Sequence, residues 1–343
     1  MAKTVAGPRA DILRMEPGRA LGPDFSYAAA QTAFRGQTEA GRTEHMIVYT
    51  DGTPNGDASA QAVLKTAEAD YQAVANWFGG ISLPPGQEGD DQTTPRTATP
   101  VQVLIDQQAG GAYHFGCDAT DIYIEPTPEL ANGFMVAELV EIFEAAINNG
   151  WQCGNTNGEG LSRVLAGERN ANLGPLFTQT AQAWWQAGHA DYVNSNAADD
   201  RDENSNGCAT LFLFYLNKQL GYDWRTITTT GGSTLGETYQ KLTGKPGTQG
   251  FSDFVSLLSG IDQGGTLNIP ASGNPFPIGA PAQPQPPVQP PTPPQAPVGP
   301  SDPGQAVTSS SGGMLQGVLI GAIVLVIALI ALVSAYAFGW FGL

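Results

Sequence analysis

Four glutamates on two neighbouring helical segments are the side chains of this sequence best suited to chemistry. Glu138, Glu141 and Glu144 recur every three residues in an otherwise apolar stretch, and Glu159 lies near the start of the next helical segment. Two carboxylates whose surroundings separate their pKa values can act as acid and base in hydrolysis. These glutamates are therefore the candidates for acid/base chemistry.

The motif Ala137-Glu138-Leu139-Val140-Glu141, followed by Gly158-Glu159-Gly160, resembles the gluzincin branch of the zincin metallopeptidases. In that family an H-E-x-x-H helix supplies two zinc-binding histidines with a general-base glutamate between them, and a second helix supplies a glutamate as third ligand. The resemblance covers roughly residues 45–190. It implies a sheet that precedes the first helix, with Glu138 matching the general base and Glu159 matching the third ligand.

The zinc-binding histidines of that pattern are replaced in this sequence. Ala137 and Glu141 stand in their places, and alanine offers no ligand atom. Zinc needs about three protein ligands and an open position, so Glu141 and Glu159 leave the site one ligand short. No histidine of the chain has an i, i+4 partner; the three are His45, His114 and His189. The sequence predicts a domain without zinc peptidase activity.

Three interpretations of the glutamates remain open from the sequence. In the first, Glu138, Glu141 and Glu144 form a solvated helix face and Glu159 is an acid favoured by the helix dipole. In the second, Glu138 or Glu141 pairs with Arg163 in the former metal site and holds the two helices together. In the third, Glu138 and Glu159 still hydrolyse a substrate, without metal or with an unconventional one.

The resemblance also implies a substrate-binding edge strand before the first helix. Residues 121–125 match it, which makes Asp121, Tyr123 and Glu125 candidates for contact with a peptide or protein partner. A sheet edge accepts an added strand through main-chain hydrogen bonds. We expect such a partner at this strand and in the groove beside helix 133–148.

An acidic loop is the one candidate cation site outside the glutamates. Asp200, Asp202 and Asn204 have the alternate spacing of an EF-hand start, and Asp199 adds a carboxylate, but Ser205 and Leu211 replace the glycine and glutamate that motif requires. Irregular oxygen-rich loops still bind calcium. The alternative is a solvated loop in which Ser205 or Asn206 caps the next helix. No other cofactor is expected.

Three cysteines, Cys117, Cys153 and Cys208, permit at most one internal disulfide and form no Cys-x-x-Cys pair. The favoured interpretation is three small buried apolar side chains. The alternative is a Cys117–Cys153 disulfide, which implies an oxidising compartment.

The pattern of apolar residues predicts an α+β fold of zincin-like order, a small N-terminal sheet with helices followed by a mostly helical half. Strands are predicted at 45–50, 101–105, 112–117 and 121–125, with a helix at 57–78 between the first two. Further helices are predicted at 133–148, 157–169, 175–187, 206–220, 233–243 and 250–260.

The C-terminal end predicts a membrane anchor. Residues 318–338 are apolar and uncharged over the length of a bilayer-spanning helix. Gly317 and Gly321 form a small-xxx-small pair that favours self-association of such helices. The predicted organisation is a leader at 1–40, a globular domain at 41–263, a proline-rich stalk at 264–313 and the anchor at 314–343. No Lys or Arg flanks the helix to set its orientation, and the lack of a signal peptide slightly favours a cytoplasmic domain.

The net charge of −17 argues against nucleic acid as a partner, since so acidic a chain repels phosphate backbones. Three functional hypotheses follow. The first is a membrane-anchored, catalytically degenerate metallopeptidase-like domain that acts as a binding or scaffold module. The second is an active hydrolase that uses Glu138 and Glu159, and the third is a structural membrane protein.

Overall fold

A computed structural model describes residues 27–28, 30, 36–83, 86, 95–197 and 202–279. Within these ranges the fold is α+β, as the sequence predicts. The first half contains a five-stranded sheet and the second half is helical. The strands are β1 Thr38–Arg42, β2 Met46–Thr50, β3 Val101–Ile105, β4 Ala112–Tyr113 and β5 Asp121–Ile124.

The described ranges contain nine helices. Those of the first half and of the candidate site are α1 Pro54–Leu64, α2 Ala67–Trp77, α3 Ala131–Ile147 and α4 Thr156–Arg169. The helical half adds α5 Gly174–Gln186, α6 Glu203–Phe214, α7 Trp224–Thr230, α8 Leu235–Thr243 and α9 Gly247–Ser259. The single helix predicted at 57–78 is divided into α1 and α2 at Lys65 and Thr66, and the sequence patterns missed β1 and α7.

The sheet has the strand order β1-β2-β3-β5-β4. Its three central strands β2, β3 and β5 are parallel, and β1 and β4 run antiparallel at the two edges. The predicted edge strand at 121–125 is therefore wrong, because β5 has a hydrogen-bonded neighbour on each side. The chain turns back after β4, and this short antiparallel strand occupies the edge that β5 was expected to form.

Both faces of the sheet are covered, and the alternation of side chains decides what each face contacts. Val103 and Ile122 belong to the main core beneath the helices, whereas Tyr113 and Tyr123 belong to a smaller cluster on the opposite face. His114 follows Tyr113 directly. The same alternation predicts that its side chain returns to the helical face.

Helix α3 is the centre of the molecule. It packs against α1, α2, α4, β4 and β5, and thirteen of its seventeen residues are buried. The residue after the helix, Asn148, is its C-cap and adopts a left-handed conformation with φ 48°. Such burial on all sides places the polar residues of α3 inside the protein together with its apolar ones.

The linker predicted from residue 264 begins too early. Leu267 and Phe276 are buried against the helical half, and the side chain of Gln182 forms hydrogen bonds in both directions with the backbone of Leu267. The globular part thus includes residues 264–279. The N-terminal boundary also differs, because β1 begins at Thr38 within the predicted leader.

None of the helices within the described ranges combines the length and apolarity needed to cross a membrane. The predicted anchor at 314–343, with the apolar run 318–338 and the pair Gly317 and Gly321, lies outside those ranges, as does the proline-rich part of the stalk from residue 280.

Candidate functional site

Glu138, Glu141 and Glu144 all face the interior. Their relative exposures are 0%, 3% and 0%. The interpretation of these residues as a solvated helix face is therefore wrong. Helix α4 packs across this side of α3. At position 158 of α4, any side chain would collide with Glu144, because an added Cβ on Gly158 would lie 2.6 Å from Glu144 Oε2. Glycine at position 158 lets the two helices approach this closely.

His114 is brought to the carboxylates by the return of the chain after β4. Its Nδ1 lies 2.7 Å from Glu138 Oε2, and both side chains are almost fully buried. Sequence reasoning missed this residue, because it searched for helical histidine spacing. The available signal was strand alternation, which directs the side chain after Tyr113 towards α3.

Glu159 and Arg163 form a second buried pair, one turn apart on α4. The Arg163 guanidinium donates to the Glu159 carboxylate and to the Glu159 carbonyl oxygen, and the Gly154 amide donates to Glu159 Oε1 at 3.1 Å. One of the three interpretations left open by the sequence paired Arg163 with Glu138 or Glu141. Arg163 forms an ion pair with Glu159, and its charge also lowers the pKa of Glu141.

Burial raises the pKa of all three α3 carboxyls. Burial raises the pKa of Glu138, and the hydrogen bond with His114 opposes this effect. The pKa of Glu141 is raised well above the ordinary value by burial and by the charges of Glu159, Glu138 and Glu144. Burial and the charge of Glu159 raise that of Glu144. A desolvated carboxyl favours its neutral form, so this cluster retains protons that exposed carboxyls release.

Several atoms of the cluster have no hydrogen-bond partner among the described residues. They are His114 Nε2, Glu138 Oε1, Glu141 Oε1 and both carboxylate oxygens of Glu144. Buried polar atoms of native proteins are nearly always paired, so each such atom calls for an explanation. The cluster thus has more donor and acceptor capacity than its own side chains use.

A disulfide joins Cys117, in the loop between β4 and β5, to Cys153, in the loop between α3 and α4, with a Cα–Cα distance of 5.7 Å. The favoured interpretation of three reduced cysteines is therefore wrong, while Cys208 is free and buried. The Sγ atom of Cys153 lies beside the glutamate cluster. One ligand atom each of His114, Glu141 and Cys153 all lie within 4.8 Å of one another.

A cavity of about 520 Å³ lies beside the C-terminal half of α3. Its described lining comprises Leu83, Gly86, Thr97, Cys117, Asp118, Thr120, Ile142, Ala145, Ala146 and Asn148. The volume is within the range of small-ligand pockets. The lining combines apolar side chains of α3 with the hydroxyl residues Thr97 and Thr120 and the carboxylate residue Asp118, and it includes Cys117 of the disulfide.

The residues predicted to contact a peptide at the edge strand have other roles. Asp121 is buried, accepts a hydrogen bond from the Tyr27 hydroxyl at 3.4 Å and forms an ion pair with Arg96. Tyr123 stacks on Tyr113 with ring centroids 4.9 Å apart. The Glu125 amide donates to the Gly111 carbonyl.

The predicted calcium loop lies partly outside the described residues, which exclude Asp199 and Asp200. The carboxylate of Asp202 caps α6: it accepts from the amides of Asn204 and Ser205 at 2.9 and 3.2 Å. The sequence suggested Ser205 or Asn206 as the cap of this helix. The cap is instead Asp202, three to four residues earlier. Asp202 also accepts from the Tyr192 hydroxyl, so its oxygens already have protein partners.

A smaller polar cluster lies on the surface, where His45 Nδ1 is 2.7 Å from Glu68 Oε1 and Glu44 is close by. Burial opposes the ionised form of Glu68, but hydrogen bonds from Gln72 and His45 lower its pKa to about 2. The His45 ring stacks on Tyr71. These contacts give the cluster a structural role in joining β2 to α2.

No protein-family model, curated protein or solved structure matches this chain.

Proposed function

We propose that this protein is a membrane-anchored, zincin-like domain without peptidase activity, whose globular part binds a peptide segment in the cavity beside α3. The observation that carries the proposal is the contrast between two neighbouring sites. The carboxylates that resemble catalytic groups are sealed in the interior, whereas the adjacent cavity is accessible and of ligand size.

The packing of α3 against α4 supports the proposal of a zincin-like fold. The two helices pack together after the sheet, and Glu159 on α4 is near enough to act on the pKa values of Glu138 and Glu141. This is the proximity that the resemblance implies for the general base and the third ligand. The buried Ala137 stands at the position of the first histidine.

The burial of the carboxylates supports the proposal that the domain has no peptidase activity. Glu138 and Glu159 have relative exposures of 0% and 1%, and each is bonded to a neighbouring side chain. A general acid or base must come within hydrogen-bond reach of its substrate. The raised pKa of Glu138 suits an acid, which keeps a hydrolase as the second candidate, but this conformation leaves a substrate no path to that carboxyl.

The charge of the chain supports a cationic or neutral ligand. Asp118 is the only charged side chain in the described lining of the cavity, and the whole chain has a net charge of −17. Such a field raises the local concentration of cations and repels anions. A basic peptide is therefore the preferred ligand class.

The disulfide favours an oxidising compartment for the globular part, because such bonds persist outside the reducing cytosol. This argues against the slight preference for a cytoplasmic domain. With residues 318–338 as the anchor, the globular part then faces the extracytoplasmic side.

A binding and cleavage assay tests the proposal. Full-length protein in mild detergent is titrated into fluorescent ten-residue peptides of Ala, Ser and Lys, and into matched peptides with Glu in place of Lys. We expect saturable binding of the basic set. Ala146→Trp, which fills the cavity from the exposed side of α3, should weaken it at least about tenfold. Ala58→Trp, at an exposed position on α1, is the matched control.

Two results would contradict the proposal. Equal affinity of the two tryptophan variants for the basic peptides would show that the cavity is not the binding site. Peptide cleavage detected by mass spectrometry and abolished by Glu138→Gln would establish the hydrolase instead.

A further inference from the structure

Three potential metal ligands from three separate segments meet beside the cavity. His114 follows β4, Glu141 lies on α3, and Cys153 lies in the loop between α3 and α4. One ligand atom from each lies within 4.8 Å of the other two. His114 and Glu141 are buried, and Cys153 is half-buried. A nitrogen, an oxygen and a sulfur ligand are the set from which zinc sites are built.

The sulfur of this set is occupied by the disulfide with Cys117. Metals bind the thiolate form of cysteine, which a disulfide does not provide. The ligand set is therefore incomplete in the oxidised protein. It becomes complete only when the bond between the two sulfurs is broken.

The other two ligands already have the arrangement that a metal site requires. His114 Nδ1 is hydrogen-bonded to Glu138 Oε2 at 2.7 Å, so Nε2 is the ring nitrogen available to a metal. Metal-bound histidines usually donate the N–H of their second ring nitrogen to a carboxylate, a backbone carbonyl or water, which orients the ring. Neither His114 Nε2 nor Glu141 Oε1 has a hydrogen-bond partner among the described residues.

We propose that reduction of the Cys117–Cys153 disulfide creates a zinc site whose protein ligands are His114, Glu141 and Cys153. In a tetrahedral zinc site with these ligand types, the ligand atoms lie about 3.3–3.6 Å apart. One ligand atom of each residue now lies within 4.8 Å of the other two, so a contraction of at most about 1.5 Å brings the set to this spacing. Release of Cys153 from Cys117 provides the freedom for it. A water molecule occupies the fourth position.

The chemistry requires a dithiol reductant. It supplies two electrons and two protons, the S–S bond breaks, Cys117 and Cys153 become thiols, and the reductant becomes a disulfide. Zinc then displaces the proton of the Cys153 thiol, and any proton held by Glu141, to the solvent. Both cysteines are half-buried, so a reductant reaches the bond from the cavity side, where Cys117 forms part of the wall.

Metal binding to the full-length protein in mild detergent tests the proposal. Cobalt(II) is the probe, because a cobalt–thiolate bond gives a charge-transfer absorption that carboxylates and imidazole do not. We expect no such band in the oxidised wild type and one equivalent of thiolate-bound cobalt after treatment with a dithiol. Zinc should displace the cobalt.

The two cysteines give a matched pair of variants. Cys117→Ser frees Cys153 without a reductant and should bind cobalt and zinc constitutively. Cys153→Ser removes a ligand, so the thiolate band should disappear. Zinc affinity should fall at least about 100-fold, because loss of a residue that only hydrogen-bonds to a metal ligand already lowers affinity by up to that factor. Both variants lack the disulfide, so its loss alone cannot explain a difference between them.

Either of two outcomes would overturn the proposal. One is a thiolate band in Cys153→Ser equal to that of Cys117→Ser; the other is absence of the band from Cys117→Ser with native circular dichroism. If the cysteine variants do not fold, the reduced wild type is compared with reduced Glu141→Gln. Equal zinc affinity of those two proteins would refute the site. Peptide binding plays no part in these measurements, so their failure leaves the proposed function untouched.

Discussion

Replacement of Glu144 by glutamine should change how the stability of the protein depends on pH. Burial, and then the charge of Glu159, raises the pKa of the Glu144 carboxyl well above 4.5, its ordinary value. Above pH 4.5 the unfolded chain releases this proton while the folded protein retains it. The free energy of unfolding therefore falls as pH rises, by up to about 1.4 kcal/mol per pH unit, until the folded-state pKa is reached.

Glutamine cannot ionise, so Glu144→Gln removes this contribution. The variant should gain stability relative to wild type by up to about 1.4 kcal/mol for each pH unit above 4.5. The amide also changes the buried polar contacts, which shifts the whole curve by a constant amount. The diagnostic quantity is therefore the slope, against pH, of the difference in unfolding free energy between the variant and wild type. The value of this difference at a single pH is not diagnostic.

Urea denaturation of the full-length protein between pH 5 and pH 8, followed by tryptophan fluorescence, measures this slope. Trp151, Trp184 and Trp224 are buried in the globular part and report its unfolding. Glu129→Gln, at an exposed glutamate just before α3, is the matched control and should follow the wild type. Parallel curves for Glu144→Gln and wild type would refute the reasoning, because they would show that Glu144 takes up no proton on folding.

Two substitutions on α4 test how closely this helix is fitted to the cluster. Gly158→Ala would place a Cβ 2.2 Å from the Gln152 carbonyl oxygen in the preceding loop and 2.6 Å from Glu144 Oε2 on α3. The forced shift should lower stability by about 1–3 kcal/mol, measured by urea denaturation. An unchanged denaturation midpoint would show that α4 is not packed this closely against the loop and α3. Arg163→Met should cost about 3–5 kcal/mol by leaving the buried Glu159 carboxylate without its cation, and a loss below about 1 kcal/mol would mean that solvent reaches Glu159.

Much of the fold could be predicted from local patterns. Strand β3 has the predicted bounds, and α3 begins two residues before its predicted start, because apolar alternation and helical periodicity depend on residues close in sequence. The predictions that failed depend on distant partners. The order β3-β5-β4 could not be read from the strands themselves, so β5 was mistaken for an edge.

The candidate site was predicted in part. Glu138, Glu141 and Glu159 were identified by spacing, and the structure brings them close enough for their charges to interact. His114 was not identified, because it lies on a different element and its contact with Glu138 spans twenty-four residues. The ion pair of Arg163 with Glu159 was also not identified, because it joins two residues one turn apart on the same helix and the sequence reasoning considered only the acids of α3 for Arg163.

The sequence by itself determined the spacing of the acids, the α+β order of the elements, the strongly negative charge and the apolar run at 318–338. Only the tertiary structure decided that the glutamate face of α3 is buried, that His114 meets Glu138, and that Cys117 is bonded to Cys153. The physical reason is that burial and pairing depend on what packs over a helix. Here β4, α4 and two loops cover α3, and no local pattern specifies their meeting.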